Sequence, residues 1–271
     1  MTRPCVLVFA GNDPSGGAGI AADVQSVTAM GAHALPVVTA LTMQDNDRVH
    51  ALHVVPAPWV QQQAQVLIDK IEIAAIKIGV IGSLANAQVI ASLIASLRQR
   101  TPNLPVVLDP VLASGHGDAL AKDDALVNLQ ILLPLVTLIT PNLPEAAALC
   151  VGDRRASYQI DTLLEYGCAH VLLKGGHAAD TEVVNRWATA GAARSWRWPR
   201  LPGAFHGSGC TLAAAIAAAL ALDLPMEQAL DHAQQFCQRA LGDAFAIAAG
   251  QRIPERGGRA AIASPLTKEP A

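Results

Sequence analysis

Six short apolar runs, each closing on glycine or polar residues, alternate with segments of helical period along the whole chain. The runs are Val6–Ala10, Pro36–Leu41, Ala75–Ile81, Val106–Asp109, Val136–Thr140 and His170–Lys174. Helical spacing falls on Ala18–Met30, Pro58–Ile71, Asn86–Arg98, Asp123–Leu132, Glu145–Cys150, Ser157–Glu165, Thr211–Leu222 and Pro225–Leu241. In the last of these, Met226, Leu230, Ala233, Cys237 and Leu241 share one face. Strands alternating with helices predict βαβ units. Parallel strands are covered on both faces, so they read as unbroken apolar runs rather than alternating ones. The sequence is 52% hydrophobic and 15% charged, which suits that burial. The expected fold is a three-layer α/β/α sandwich around a central, mainly parallel sheet.

One region breaks the pattern. Val183–Trp198 carries Trp187, Trp196 and Trp198 around Ala190-Gly191, and reads as an antiparallel hairpin near one sheet edge. No Pro/Gly-rich linker divides the 271 residues, so one domain is expected over 1–256. The tail Gly257–Ala271, rich in Gly, Ala, Ser and Pro, is expected to be disordered.

Several function classes drop out on composition. The 19 basic residues are scattered and the formal net charge is -3, which gives nucleic acid no basic face to meet. The longest apolar run, Leu212–Leu222, falls short of the ~18 residues a membrane span requires. Cys5–Ala10 reads as a first strand rather than a signal peptide. Five cysteines without a CxxC pair argue against disulfides or a zinc site and for a reducing, cytoplasmic setting.

In open α/β sheets, ligands bind at the carboxyl ends of the strands. Five polar clusters sit there: Gly11–Gly19, Thr42–Asp45, Asp109-Pro110, Pro141-Asn142 and Lys174–His177. Gly17-Ala18-Gly19-Ile20-Ala21-Ala22 matches the dinucleotide fingerprint G-x-G-x-x-A. In that motif, however, the first glycine follows the strand directly, and here Gly11–Gly16 intervene. The loop can still bring backbone close to a small ligand. Asp23, one helical turn beyond Gly19, either reaches that ligand or is an exposed first-turn carboxylate complementing the helix dipole.

A stronger signal is His206-Gly207-Ser208-Gly209-Cys210-Thr211, which opens an alanine-rich helix. Free amides at a helix start make an anion site, and glycines let them converge on phosphate oxygens. The alternative is an ordinary helix start capped by Ser208. Cys210 in the first turn is expected to have a lowered thiol pKa, or else to be a small buried side chain. Asp109 and Glu145 are candidate metal carboxylates, although Glu145 at a helix start also suits the dipole. Lys174, one of five lysines, ends a strand before two glycines and could neutralise phosphate. Lys77, inside a strand, must be paired or face the cleft.

Together these motifs resemble the hydroxymethylpyrimidine/phosphomethylpyrimidine kinases of thiamine biosynthesis, in the ribokinase-like superfamily. The resemblance runs from about residue 5 to 255. It rests on Gly11–Ile20, Ala40–Gln44, Lys77-Ile78-Gly79, Asp109-Pro110-Val111, Thr140–Ala146, Lys174–His177 and His206–Leu212. It implies a kinase using ATP and Mg²⁺ that phosphorylates 4-amino-5-hydroxymethyl-2-methylpyrimidine and then its monophosphate. By position, Gln44 would hydrogen-bond the pyrimidine, with Asp23, Gly11, Ala18 and Val80 shaping the pocket. Asp109 and Glu145 would bind Mg²⁺, and Lys174 and Ser208 would contact the nucleotide. The amides of Gly207, Gly209 and Cys210 would stabilise the transferring group, with the Cys210 thiol as candidate base. A homodimer is implied by the same analogy.

Two departures stand out. Val80 replaces the family's frequent Met. The run Leu112-Ala113-Ser114-Gly115-His116-Gly117-Asp118 lacks the family's Lys or Thr before Ser-Gly, with Gly115 in that place. This stretch is expected to be a flap near the phosphates. Either Ser114 or His116 substitutes there, or one of the two phosphorylation steps is weakened. The rival readings are a pyridoxal or pyridoxine kinase, a dinucleotide oxidoreductase and a non-catalytic pyrimidine sensor. Gln44 favours the aminopyrimidine, because an amide pairs with both a ring nitrogen and its neighbouring amino group.

Overall fold

The first apolar run becomes β1 (Cys5–Asn12), and its neighbours on both sides run parallel to it. The computed structural model describes residues 2–113, 117–118, 120–122, 124–178 and 180–257. Around β1 lie β2 (His33–Gln44), β3 (Val49–Val54), β4 (Ile73–Ile78), β5 (Val106–Leu108), β6 (Leu138–Ile139), β7 (His170–Leu173), β8 (Glu182–Thr189) and β9 (Ala192–Pro199). They form one sheet of order β3-β2-β1-β4-β5-β6-β7-β8-β9. From β2 to β7 every pairing is parallel, while β3 and the β8–β9 hairpin are antiparallel. The expected hairpin is therefore present, and the other edge is antiparallel as well.

Side chains alternate across each strand and so build two cores. Leu7, Phe9, Ile76 and Ile78 face one layer, made of α2 (Ala57–Ile68), α3 (Leu84–Arg100), α4 (Ala125–Gln130), α5 (Leu143–Leu149) and α6 (Ala156–Glu165). Val6, Val8 and Ala10 face the other, made of α1 (Gly19–Ala29), α7 (Ser208–Ala221) and α8 (Met226–Gly242). In α7 every residue from Thr211 to Ala221 is buried. Alanine suits that place, because small side chains let a central helix lie close to the sheet and to α1 and α8 at once.

All eight expected helices are present, with ends shifted by a few residues. The strand β3 and the extension of β2 to Gln44 were not expected. Two of the expectations fall outside the described residues: the flap at Ser114, Gly115 and His116, and the tail 258–271. Asp123, the expected start of α4, lies outside them too. Among the described residues, no helix is long and apolar enough to cross a membrane.

Asn86 binds the layers where the helices meet the strand ends. From the first turn of α3 its amide donates to the carbonyls of Thr39 (3.3 Å), Val55 (3.2 Å) and Ile81 (3.0 Å). Asn86 itself is fully buried, so losing its amide leaves acceptors around it without their donor. Asn86→Ala is expected to cost about 2 kcal/mol, lowering Tm by roughly 4–8 °C for a chain of this size. Thermal denaturation followed by circular dichroism checks it.

Candidate active site

The strand order reverses between β1 and β4, where successive connections leave in opposite directions along the sheet. Such a switch point opens a crevice at the carboxyl ends of the strands. The five polar clusters all lie at this end. Gly11 and Asn12 close β1, Thr42 and Gln44 close β2, and Asp109 follows β5. Asn142 and Lys174, beyond β6 and β7, are joined by a parallel bridge.

The two glycine segments, far apart in sequence, interlock. Gly207 has φ +73°, and a Cβ there would collide with the Gly17 carbonyl oxygen. A Cβ on Gly17 would strike the His206 ring, and one on Gly19 would strike the Gly11 carbonyl. Asp13 organises the first loop. Its Oδ1 accepts from Ser15 N–H (2.8 Å), and its Oδ2 accepts from Ala18 N–H (2.7 Å) and Ser15 Oγ (3.0 Å). The same Oδ2 lies 2.8 Å from His206 Nε2. Burial opposes the Asp13 charge, but the bonds from His206 and Ser15 hold its carboxyl below the ordinary value. Behind both loops, buried Arg256 donates to Gly17 O (2.6 Å), Thr211 Oγ1 (2.8 Å) and Gln25 Oε1 (3.2 Å).

The start of α7 decides between the two expectations for the second turn. Its N-cap is Gly207, in the left-handed conformation, and no side chain caps the helix. Ser208 is thus not the cap; it is the first helical residue. The first amide with a helical partner is that of Thr211, bonded to Gly207 O at 2.9 Å. The amides before it have no helical partner, as an anion site at a helix start requires. This turn packs directly on an ion pair. A Cβ on Gly209 would stand 3.1 Å from Lys174 Nζ and 3.3 Å from Asp109 Oδ2.

That ion pair joins Lys174 Nζ to Asp109 Oδ1 at 2.7 Å, with Thr140 Oγ1 donating to the same oxygen at 3.3 Å. Burial works against the Lys174 charge, yet Asp109 and Glu145 together hold its ammonium above the ordinary value. Glu145 and Asn142 form a capping box. Asn142 N–H donates to Glu145 Oε2 (2.8 Å), and Glu145 N–H donates to Asn142 Oδ1 (2.9 Å). Burial pushes the Glu145 carboxyl up to about 7, with Lys174 opposing and Asp109 adding to the rise. Among the described residues, no three His, Cys, Asp or Glu side chains cluster as a ready metal cage.

Two expectations need correction. Cys210 was expected to have a lowered thiol pKa, but burial pushes it up to about 11, against the pull of Lys77. The carboxylates of Asp109 and Asp23 add to the rise, so the helix terminus does not prevail. Asp23 is neither exposed nor open to the cleft. It is fully buried, with Lys77 Nζ 2.9 Å from its carboxylate. Lys77 is therefore paired rather than aimed at a ligand. Burial disfavours its ammonium, but the carboxylates of Asp23 and Asp109 hold it charged.

The opposite wall carries Gln44, half-buried, whose amide donates to Thr42 Oγ1 at 2.5 Å. Thr42 in turn donates to Asn12 O at 2.8 Å. Val80 stands against Gly11, where a Cβ would meet the Val80 side chain at 3.6 Å. Asp13, His206 and Arg256 were not singled out from the sequence. Asp13 was within reach of it, because an Asp ahead of Pro-Ser-Gly-Gly is placed to bond backbone amides further on. Arg256 carries no local signal, being 239 positions from Gly17.

Residues 13–254 match the phosphomethylpyrimidine kinase family. The chain belongs to that family. The hydroxymethylpyrimidine/phosphomethylpyrimidine kinase of Streptomyces coelicolor is 37% identical over 260 residues, 92% of this chain and 93% of its own. That of Escherichia coli is 35% identical, covering 93% of this chain and 96% of its own. Among solved structures, the phosphomethylpyrimidine kinase from Clostridium difficile superposes with TM-score 0.74 at 29% identity, over 88% of this chain and 99% of that one. The pyridoxal kinase from Staphylococcus aureus, in complex with AMP-PCP and pyridoxal, gives TM-score 0.82 at 24% identity, over 95% and 94%. The higher TM-score measures backbone likeness and shows the fold alone, which is ribokinase-like. Membership of the phosphomethylpyrimidine kinase family rests on sequence.

The interlock gives a direct test. Gly207→Ala combines a left-handed backbone costing about 1–2 kcal/mol with the collision at Gly17. Tm is expected to fall by roughly 4 °C or more. Gly176→Ala meets nothing within 4 Å and is the matched control, expected to stay within about 0.5 kcal/mol of the parent. Thermal unfolding of both variants side by side reads the difference.

Proposed function

We propose that residues 1–256 form one kinase domain that transfers a phosphoryl group from ATP to 4-amino-5-hydroxymethyl-2-methylpyrimidine and then to its monophosphate. The observation that carries this reading is the uncapped start of α7 lying against the Lys174–Asp109 pair at the switch point. A helix N-terminus and a lysine converging on one spot suit a phosphoryl group in flight. Family membership and the names of the relatives support the pyrimidine as acceptor.

Each residue then has a part. The amides of Gly207, Ser208, Gly209 and Cys210 take up charge developing on the transferred group. Lys174 meets the nucleotide phosphates and would exchange its bond with Asp109 for them. Gln44 offers the donor and acceptor that an aminopyrimidine edge needs. Gly11, Ala18 and Val80 shape the ring pocket. Asp23 supports that pocket from beneath, through Lys77, rather than touching the ring.

The donor set fits Mg²⁺. Asp109 and Glu145 are two buried carboxylates whose mutual repulsion helps raise Glu145 to about 7, and Mg²⁺ takes one or two carboxylates with phosphate and water completing its shell. When bound, the ion neutralises charge on the phosphates.

Cys210 acts as a neutral member of the anion turn. Phosphoryl transfer passes through a loose transition state, in which positioning and charge stabilisation outweigh base catalysis. A thiol up at about 11 is protonated at neutral pH, consistent with that part.

Two measurements test the reading. ADP release in Mg-ATP is expected with the hydroxymethylpyrimidine and with its monophosphate, assayed separately. Release with pyridoxal alone would make the chain a pyridoxal kinase, and pyrimidine binding without ADP would make it a sensor. Cys210→Ala keeps the backbone amide and an uncharged side chain, so kcat is expected to stay within about fivefold of the parent while ATP still binds by calorimetry. A loss of about a hundredfold or more would give the thiol itself a part in the transfer.

A further inference from the structure

The geometry points to His206 as a positioning residue for the transfer: its hydrogen bond to Asp13 fixes the pocket-forming loop at a set distance from the anion-binding turn. This rests on the kinase reading above and adds a residue to it. His206 immediately precedes Gly207, so its backbone belongs to the anion turn. Its Nε2 lies 2.8 Å from Asp13 Oδ2, and that same oxygen accepts the Ala18 N–H at 2.7 Å. One carboxylate oxygen therefore links the turn that would hold the phosphoryl group to the residue that would wall the acceptor ring. The His206 ring also packs against Gly17, where no Cβ fits.

The bond is not what holds the loops together. Arg256 ties Gly17 to Thr211 from behind, at 2.6 and 2.8 Å. The His206 backbone is anchored separately, its N–H donating to Arg252 O at 2.8 Å. Asp13 keeps its bonds to Ser15 and Ala18 without the histidine. What His206 adds is a short strut on the cleft side of the interlock, its side chain 15% exposed against 1% for Asp13. In-line transfer is sensitive to such a strut, since a displacement of about 1 Å between reacting groups can cost on the order of a hundredfold in rate.

Side-chain reach provides the test. Gln at 206 carries an amide N–H that can span to Asp13, Asn is one methylene too short, and Leu has no donor. Steady-state kinetics of the full chain with Mg-ATP and the hydroxymethylpyrimidine would compare the parent with His206→Gln, His206→Asn and His206→Leu. We expect His206→Gln to keep kcat within about threefold, and His206→Asn and His206→Leu to lose about tenfold or more. KM for ATP should stay within about twofold throughout, since the nucleotide side of the site is untouched. Parent-like kcat in His206→Asn or His206→Leu would overturn the proposal, as would a loss in His206→Gln equal to that in His206→Leu. Should His206→Leu fail to fold, the comparison of Gln with Asn decides alone. A parent inactive on the pyrimidine but active on pyridoxal would overturn the acceptor assignment only, and the same series on pyridoxal would then judge His206. A parent inactive on both overturns the two together.

Discussion

Backbone meets backbone where Gly207 faces Gly17, and the site exists because nothing larger than hydrogen stands between them. The first loop must approach the second closely enough for one acceptor pocket and one anion turn to share a reacting atom. A side chain at either position would part them. The left-handed Gly207 also turns the chain so that α7 begins without a side-chain cap on its first amides. Arg256 and the segment around Arg252 hold this contact, and the Asp13–His206 bond sets its spacing.

The burial of α7 follows from the same need. On the proposed reading the first turn of this helix serves a ligand, so the helix cannot slide: its terminus must stay beside Lys174 and Asp109. The alanines from Ala213 to Ala221 bring it down onto the sheet between α1 and α8, so that its axis is fixed along its length. Rigid placement of the terminus, rather than exposed catalytic side chains, is what this fold contributes to charge stabilisation.

Much of this was legible in the sequence, for physical reasons. Strands covered on both faces must be apolar throughout, so β1, β4, β5 and β7 appear as runs, and their polar ends mark the crevice. The edge strand β3 is half-covered, with His50 and His53 exposed on it, and carries no such signature. The glycines of both loops could be seen, but not their interlock, because His206 and Asp13 lie 193 positions apart. The Asp23 and Cys210 expectations failed for one reason. Sequence shows that a group sits at a helix start but not how deeply it is buried, and here burial outweighs the helix terminus.

The buried charges make one further sense of the thiol. Lys77 and Asp23 are wholly enclosed beneath the cleft, and removing one partner of such a pair costs about 3–5 kcal/mol. As a structural device, an apolar pair would serve as well or better. What an apolar pair would lack is a fixed cation beneath Cys210, where Lys77 opposes the rise that burial and the carboxylates impose. The enclosed ammonium offsets the Asp23 charge and Lys174 offsets that of Asp109, so the floor of the anion turn is not left negative. An incoming phosphate then meets amides and Lys174 over a balanced base, which is the condition for a helix terminus to attract it. The thiol belongs to that balance as an uncharged neighbour. An anionic sulfur there would add a third negative charge beside Asp23 and Asp109 and repel the group the turn is built to receive.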